Sequence, residues 1–128
     1  MIADKNRHLL DFLLGELTAE GYEVRIARDA RQILEEIAAG DPVDLLIFDL
    51  EIPGIDNSKI IEVAQTRRPP LPVIIHTFLT DESARDTAGT DEIYIQKSGN
   101  IDRLKKAIED TVQKYYPDRL ELPRPQSV

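Results

Sequence analysis

The chain has 128 residues, no cysteine, and a formal charge of −8 from 24 acids against 16 bases. That length suits one domain with a real core. The lack of cysteine excludes disulfides and thiolate metal sites, and the acidic balance argues against direct binding to nucleic acid. The apolar runs are strand-sized, as in Leu45–Phe48, and too short to cross a membrane. Met1–Asp4 runs straight into charged residues without a signal-peptide pattern, so a soluble cytoplasmic protein is expected.

In chain order, Met1–Ala3 can supply only a stunted first strand before Asp4. Leu10, Leu13, Leu14 and Leu17 recur at i, i+3, i+4 and i+7, which predicts an amphipathic helix from Asn6 to about Glu20. Gly21 ends it. Tyr22, Val24 and Ile26 alternate with Glu23 and Arg25, the pattern of a strand with unequal faces. Asp29, with Gln32 three residues on, starts a second helix whose stripe is Ala30, Ile33, Leu34 and Ile37, capped by Gly40. Val43–Phe48 is apolar apart from Asp44 and does not alternate, as expected of a strand covered on both faces of a parallel sheet.

After the loop Glu51–Asn57 a third helix carries Ile60, Ile61 and Ala64. Pro69, Pro70 and Pro72 forbid helix and deliver a second buried strand, Val73–His76. Asp81–Gly89 has only Ala84 and Ala88 as apolar residues, so any helix there is short and poorly anchored. Ile93–Ile95 is a third apolar strand. A last helix runs from an Asn100 cap through Ile101, Leu104, Ile108, Val112 and Tyr115, and Pro117 stops it. Residues 1–116 read as one domain and residues 117–128 as a Pro-containing tail or linker stub.

Strands alternating with helices imply βαβ crossovers and an open, doubly wound α/β sheet. Ligands bind such sheets beyond the carboxyl ends of the strands, and four polar residues stand there: Asp4, Asp49, Thr77 and Lys97. Each has a bland reading. Asp49 can start a turn, Lys97 can be a surface lysine, Thr77 a β-former and Tyr94 a core ring. Four such residues on successive strand ends argue for a site. His76 points away from Thr77 by alternation and reads as a packed, hydrogen-bonded histidine. His8 reads as solvated.

These residues resemble the signature of response-regulator receiver domains over roughly residues 1–116. Ile47-Phe48-Asp49-Leu50-Glu51-Ile52-Pro53-Gly54 looks like the phosphoacceptor strand and its loop. Pro72-Val73-Ile74-Ile75-His76-Thr77 looks like the strand that delivers a hydroxyl residue, and Tyr94-Ile95-Gln96-Lys97 the one that ends in lysine. Ala3-Asp4-Lys5-Asn6 stands where the family has an acidic pair. The resemblance implies a five-stranded parallel sheet in the flavodoxin-like order 2-1-3-4-5 with helices on both faces. It implies Asp49 as phosphoacceptor with Thr77 and Lys97 assisting. A Mg²⁺ ion would be held by Asp4, Asp49 and the backbone carbonyl of Glu51, and Thr77 and Tyr94 would act as switch residues. It further implies a histidine kinase or phosphotransfer protein as donor and a downstream protein partner, with a homodimer compatible. The chain would then be a signalling phosphoacceptor rather than an enzyme with a separate substrate.

Three residues depart from the pattern. Lys5 replaces the second acid, which removes a metal ligand and adds like charge, so Mg²⁺ binding should weaken. Its ammonium is expected to reach toward Asp49 and take part of the cation's place. Phe78 follows Thr77 where the family has a small residue, narrowing access to Asp49. Ser98 follows Lys97 where the family has proline, and since a cis non-proline bond costs about 2.5–4 kcal/mol the loop is expected to be rearranged. The departures keep open a phosphorylation-independent pseudo-receiver that works as an interaction module. A haloacid-dehalogenase enzyme would need a second aspartate where Glu51 stands. A flavin-binding flavodoxin would need a Ser/Thr/Gly-rich loop in place of Lys5-Asn6-Arg7-His8.

Overall fold

The computed structural model describes residues 1–40, 43–49, 51–52, 57–78, 93–98 and 100–117. The strands are β1 (Ile2–Ala3), β2 (Ile26–Ala27), β3 (Leu46–Phe48), β4 (Val73–Thr77) and β5 (Ile93–Gln96). The helices are α1 (Arg7–Ala19), α2 (Ala30–Ala38), α3 (Asn57–Thr66) and α4 (Asp102–Tyr115). All strand pairs are parallel and the sheet order is β2-β1-β3-β4-β5. Among the described residues no helix is long and apolar enough to cross a membrane. The segment Asp81–Gly89, Pro53 and Gly54 of the loop after β3, and residues 118–128 lie outside the described residues.

Side-chain alternation splits the core in two. Ile2, Leu45, Ile47, Ile74 and Ile95 pack with Leu10, Leu13 and Leu17 of α1 and Leu104, Ile108 and Val112 of α4. Ala3, Leu46, Phe48, Val73 and Ile75 pack with Ile33 and Ile37 of α2 and Ile60, Ile61 and Ala64 of α3. Successive residues of one strand serve opposite layers, so β3 must be apolar throughout. Each buried Leu or Ile contributes about 1.5–3 kcal/mol of hydrophobic stabilisation.

The helix ends follow the sequence signals, with adjustments. Asn6 caps α1 by accepting from the Leu9 N–H, and Gly21 leaves the helix at φ 98°. Asp29 accepts from the Gln32 N–H while the Gln32 amide oxygen accepts from the Arg28 N–H, a reciprocal cap shifted by one residue. Gly40 follows α2 at φ 76°, left-handed backbone that side chains avoid. At α4 the cap position belongs to Ile101, not Asn100. Asn100 still serves the end from one residue earlier, its side chain accepting from the Asp102 N–H. Tyr115, read as part of the apolar stripe, is exposed, and its neighbour Tyr116 donates from its hydroxyl to the Asp44 carbonyl at 2.7 Å. The expected strand over Tyr22–Ile26 pairs with β1 only at Ile26–Ala27, because β1 offers just two residues to pair with. Its alternation is nonetheless kept, with Tyr22, Val24 and Ile26 packed against the α1–α4 layer.

Candidate functional site

Register brings the four strand-end residues together. Ala3 pairs with Phe48, so Asp4 and Asp49 leave adjacent strands side by side, and the Asp49 N–H donates to the Ala3 carbonyl at 3.1 Å. Thr77 pairs with Gln96, and the Lys97 N–H donates to the Thr77 carbonyl at 2.8 Å, carrying Lys97 just past the end of β5. Asp4, Asp49, Thr77 and Lys97 are all buried.

Lys97 is the centre of this arrangement. Its Nζ lies 2.6 Å from Asp4 Oδ2 and 2.5 Å from Asp49 Oδ2. The remaining carboxylate oxygens are held by backbone: Asp4 Oδ1 accepts from the Asn6 N–H and Asp49 Oδ1 from the Glu51 N–H, each at 2.9 Å. Burial pushes the Lys97 pKa down, but the hydrogen bonds and charges of Asp4 and Asp49 outweigh it and the net direction is up. The lysine therefore stays an ammonium at neutral pH. Each carboxylate is fixed by one neutral and one charged donor.

Lys5 does not take the place expected of it. Its ammonium pairs with Glu51 Oε2 at 3.7 Å on the surface, with the two side chains 56% and 42% exposed, an arrangement worth less than about 1 kcal/mol. The charge beside Asp49 is supplied by Lys97 instead. Phe78 is exposed, and its ring centroid lies 5.1 Å from Lys97 Nζ. Among the described residues the one cis peptide is Arg68–Pro69, so Lys97–Ser98 is trans, and the Ser98 hydroxyl donates to the Asn100 carbonyl at 2.7 Å. Tyr94 is half-buried against the α2–α3 layer, level with Ile75. His76 is buried on the opposite layer of the sheet; burial, with Lys97 adding to it, lowers its pKa to about 4, so it is neutral at pH 7.

The donor set is two buried carboxylates whose Oδ2 atoms share one ammonium nitrogen, and so lie within reach of a single cation. Hard oxygen donors of this kind suit Mg²⁺, which keeps several waters and needs few protein ligands. Among the described residues no group of three or more His, Cys, Asp and Glu side chains is placed to hold a metal. A cation would bind through two carboxylates and would compete with Lys97 for them. Sequence reasoning located Lys97 but not its bridging of both acids. It also missed the Asn6 and Glu51 N–H groups that orient them, although both stand two residues after the aspartate they serve.

Comparison with known proteins agrees with this fold. The family model described as "Response regulator receiver domain" matches residues 1–109. The chain is 26% identical over 121 residues to Response regulator MprA of Mycolicibacterium vanbaalenii, covering 92% of this chain and 52% of that one. It is 31% identical over 109 residues to the nitrogen assimilation regulatory protein NtrX of Azorhizobium caulinodans, covering 81% of this chain and 24% of that one. Thus it spans about half the length of the first relative and a quarter of the second. Among solved structures, the response regulator TrrA of Thermotoga maritima in complex with Mg²⁺ and BeF superposes with a TM-score of 0.73 at 27% identity, covering 86% of this chain and 95% of that one. A response regulator receiver protein of Sinorhizobium medicae reaches a TM-score of 0.79 at 19% identity, covering 88% and 91%, a likeness of fold.

Proposed function

The chain belongs to the response regulator receiver domain family of two-component signalling, and from that membership we propose that it accepts a phosphoryl group on Asp49 and signals by protein contacts. The observation that carries the reading is the Lys97 ammonium bridging the two buried carboxylates at the sheet's carboxyl edge. An oxygen of Asp49 forms the new bond to phosphorus as the donor's P–N bond breaks, its electron pair staying on the nitrogen of a kinase or phosphotransfer-protein histidine. The product is an acyl phosphate. The moving group carries negative charge on its equatorial oxygens, so the protein contributes positioning and neutralisation. Lys97 then turns from Asp49 Oδ2 to a phosphoryl oxygen, and Thr77, buried at the end of β4, donates its hydroxyl to another.

Asp4, Asp49 and the Glu51 carbonyl are the residues that would hold Mg²⁺, and a relative, TrrA, is known in complex with Mg²⁺ and BeF. When bound, the ion neutralises phosphoryl charge. Lys5 stands where the family has its second acid, which supports weaker Mg²⁺ binding here. Thr77 and Tyr94 share one face of the sheet by alternation, which suits a switch between them. A downstream partner on β5 and α4 is supported by an open groove lined by Ile95, Asp102, Arg103, Lys106, Ala107 and Asp110. The domain spans residues 1–116 and acts in the cytoplasm, with residues 117–128 as a tail.

A second reading, a phosphorylation-independent interaction module, is favoured by the internal charge of the site: Lys97 already compensates one of its two carboxylate charges. Intact mass after incubation with phosphoramidate, with and without Mg²⁺, decides between them. Phosphorylation adds one acid-stable, base-labile phosphoryl group to the wild type and none to Asp49→Asn. An unchanged wild-type mass, or an adduct that persists in the variant, overturns the proposal and leaves the interaction module.

A further inference from the structure

Phe78 is the most exposed of the large apolar side chains among the described residues, at 65%, against 48% for Phe12. Core packing therefore does not account for it, since most of its hydrophobic gain is unrealised. What it does touch is the site. Its ring centroid is 5.1 Å from Lys97 Nζ, within the range in which the negative face of a ring attracts an ammonium. The ring stands largely in water beside a lysine that is only 8% exposed. Three groups then hold Lys97: Asp4, Asp49 and Phe78.

We propose that Phe78 is a positioning residue that acts through Lys97, its ring holding the ammonium on Asp4 and Asp49 and slowing phosphorylation from small donors. The inference rests on Asp49 being the phosphoacceptor. With phosphoramidate, Asp49 forms a P–O bond while the P–N bond breaks, and the electron pair leaves with the already protonated nitrogen as ammonia. For that step Lys97 must let go of Asp49 Oδ2 and follow the incoming phosphoryl oxygens. A ring that pins the ammonium, and screens it from water, delays the release.

The test compares wild type with Phe78→Leu, which keeps much of the bulk but has no π face, and with Phe78→Trp, which keeps the face. The first measurement needs no phosphorylation. It is the exchange with water of the Lys97 ammonium protons, read by nitrogen-resolved NMR and assigned by their loss in Lys97→Met. The second is the rate of mass gain with phosphoramidate. In Phe78→Leu both rates should rise roughly two- to tenfold, the range a cation–π contact can carry, while Phe78→Trp matches wild type or is slower. Thermal melts of the three proteins should differ by no more than a few degrees, because the largely exposed ring contributes little to folding beyond that contact. Exchange unchanged in Phe78→Leu overturns the contact, and faster exchange with an unchanged phosphorylation rate overturns its role in transfer. A Leu variant that behaves as wild type in both assays overturns the proposal as a whole. A wild type that takes no phosphoryl group refutes the phosphoacceptor reading itself, and the exchange measurement still decides whether the ring holds the lysine.

Discussion

Replacing Lys97 by Met keeps the alkyl stem and deletes the ammonium, leaving two buried carboxylates facing one another. Lys97, Asp4 and Asp49 are each less than a tenth exposed, and the two ion pairs are 2.6 and 2.5 Å long. Removing one partner of a buried ion pair costs about 3–5 kcal/mol, because the remaining charge is left uncompensated. Against a total stability of about 5–15 kcal/mol, that is a large fraction. A divalent cation can replace the missing charge, so Mg²⁺ at about 10 mM should stabilise Lys97→Met more than wild type. Urea denaturation at pH 7, with and without Mg²⁺, measures both effects. A loss under about 1 kcal/mol at pH 7, or equal stabilisation of both proteins by Mg²⁺, would refute the view that Lys97 is the site's internal counter-ion.

Gly15 lies in the exposed middle of α1, and a Cβ built there meets nothing within 4 Å. Gly15→Ala should therefore raise stability by about 1 kcal/mol in urea, and a loss would show that the glycine has a packing role. His76, lowered from 6.5 to about 4, binds its proton in the unfolded chain before it does so in the folded one. It withdraws stability as pH falls through that window, by up to about 3 kcal/mol, and contributes its full share only above it. The wild-type minus His76→Gln stability difference should change across the window, and a flat difference would count against a neutral buried histidine. Asp29→Ala removes the acceptor for the Gln32 N–H and should cost about 1 kcal/mol in urea, with α2 losing amide protection at its first turn. No change in that protection would mean the cap is dispensable.

The positions of the candidate site were legible in the sequence because a parallel sheet exposes its chemistry at one edge. A polar residue directly after an apolar strand, as at Asp4, Asp49 and Lys97, can hardly be anywhere else. The conformations of long side chains were not legible. Lys5 and Lys97 both have four-carbon stems that reach toward Asp49, and sequence cannot say which one desolvates. The structure shows that Lys97, leaving β5 inside the rim, reaches both acids, while Lys5 turns to Glu51. Periodicity found α1 and α2, and Asp29 marked the start of α2 because its side chain serves the backbone locally; the cap that Asn6 makes on α1 came only with the structure. It overextended the second strand, since ladder length depends on what the partner offers, and Ile2–Ala3 is all that β1 has.

The alternation that divides the core also divides labour within the molecule. Residues 73, 75 and 77 of β4 face the layer of α2 and α3, where Tyr94 also packs, whereas Ile74 and Ile95 face α1 and α4. The sheet between the layers is a partition one backbone thick. Thr77 at the rim and Tyr94 lie on the α2–α3 side of it, while the groove beside α4 begins at Ile95 on the other. Neighbouring residues of β5 thus belong to both compartments, and that edge strand is where a change begun on one side of the partition can be read on the other.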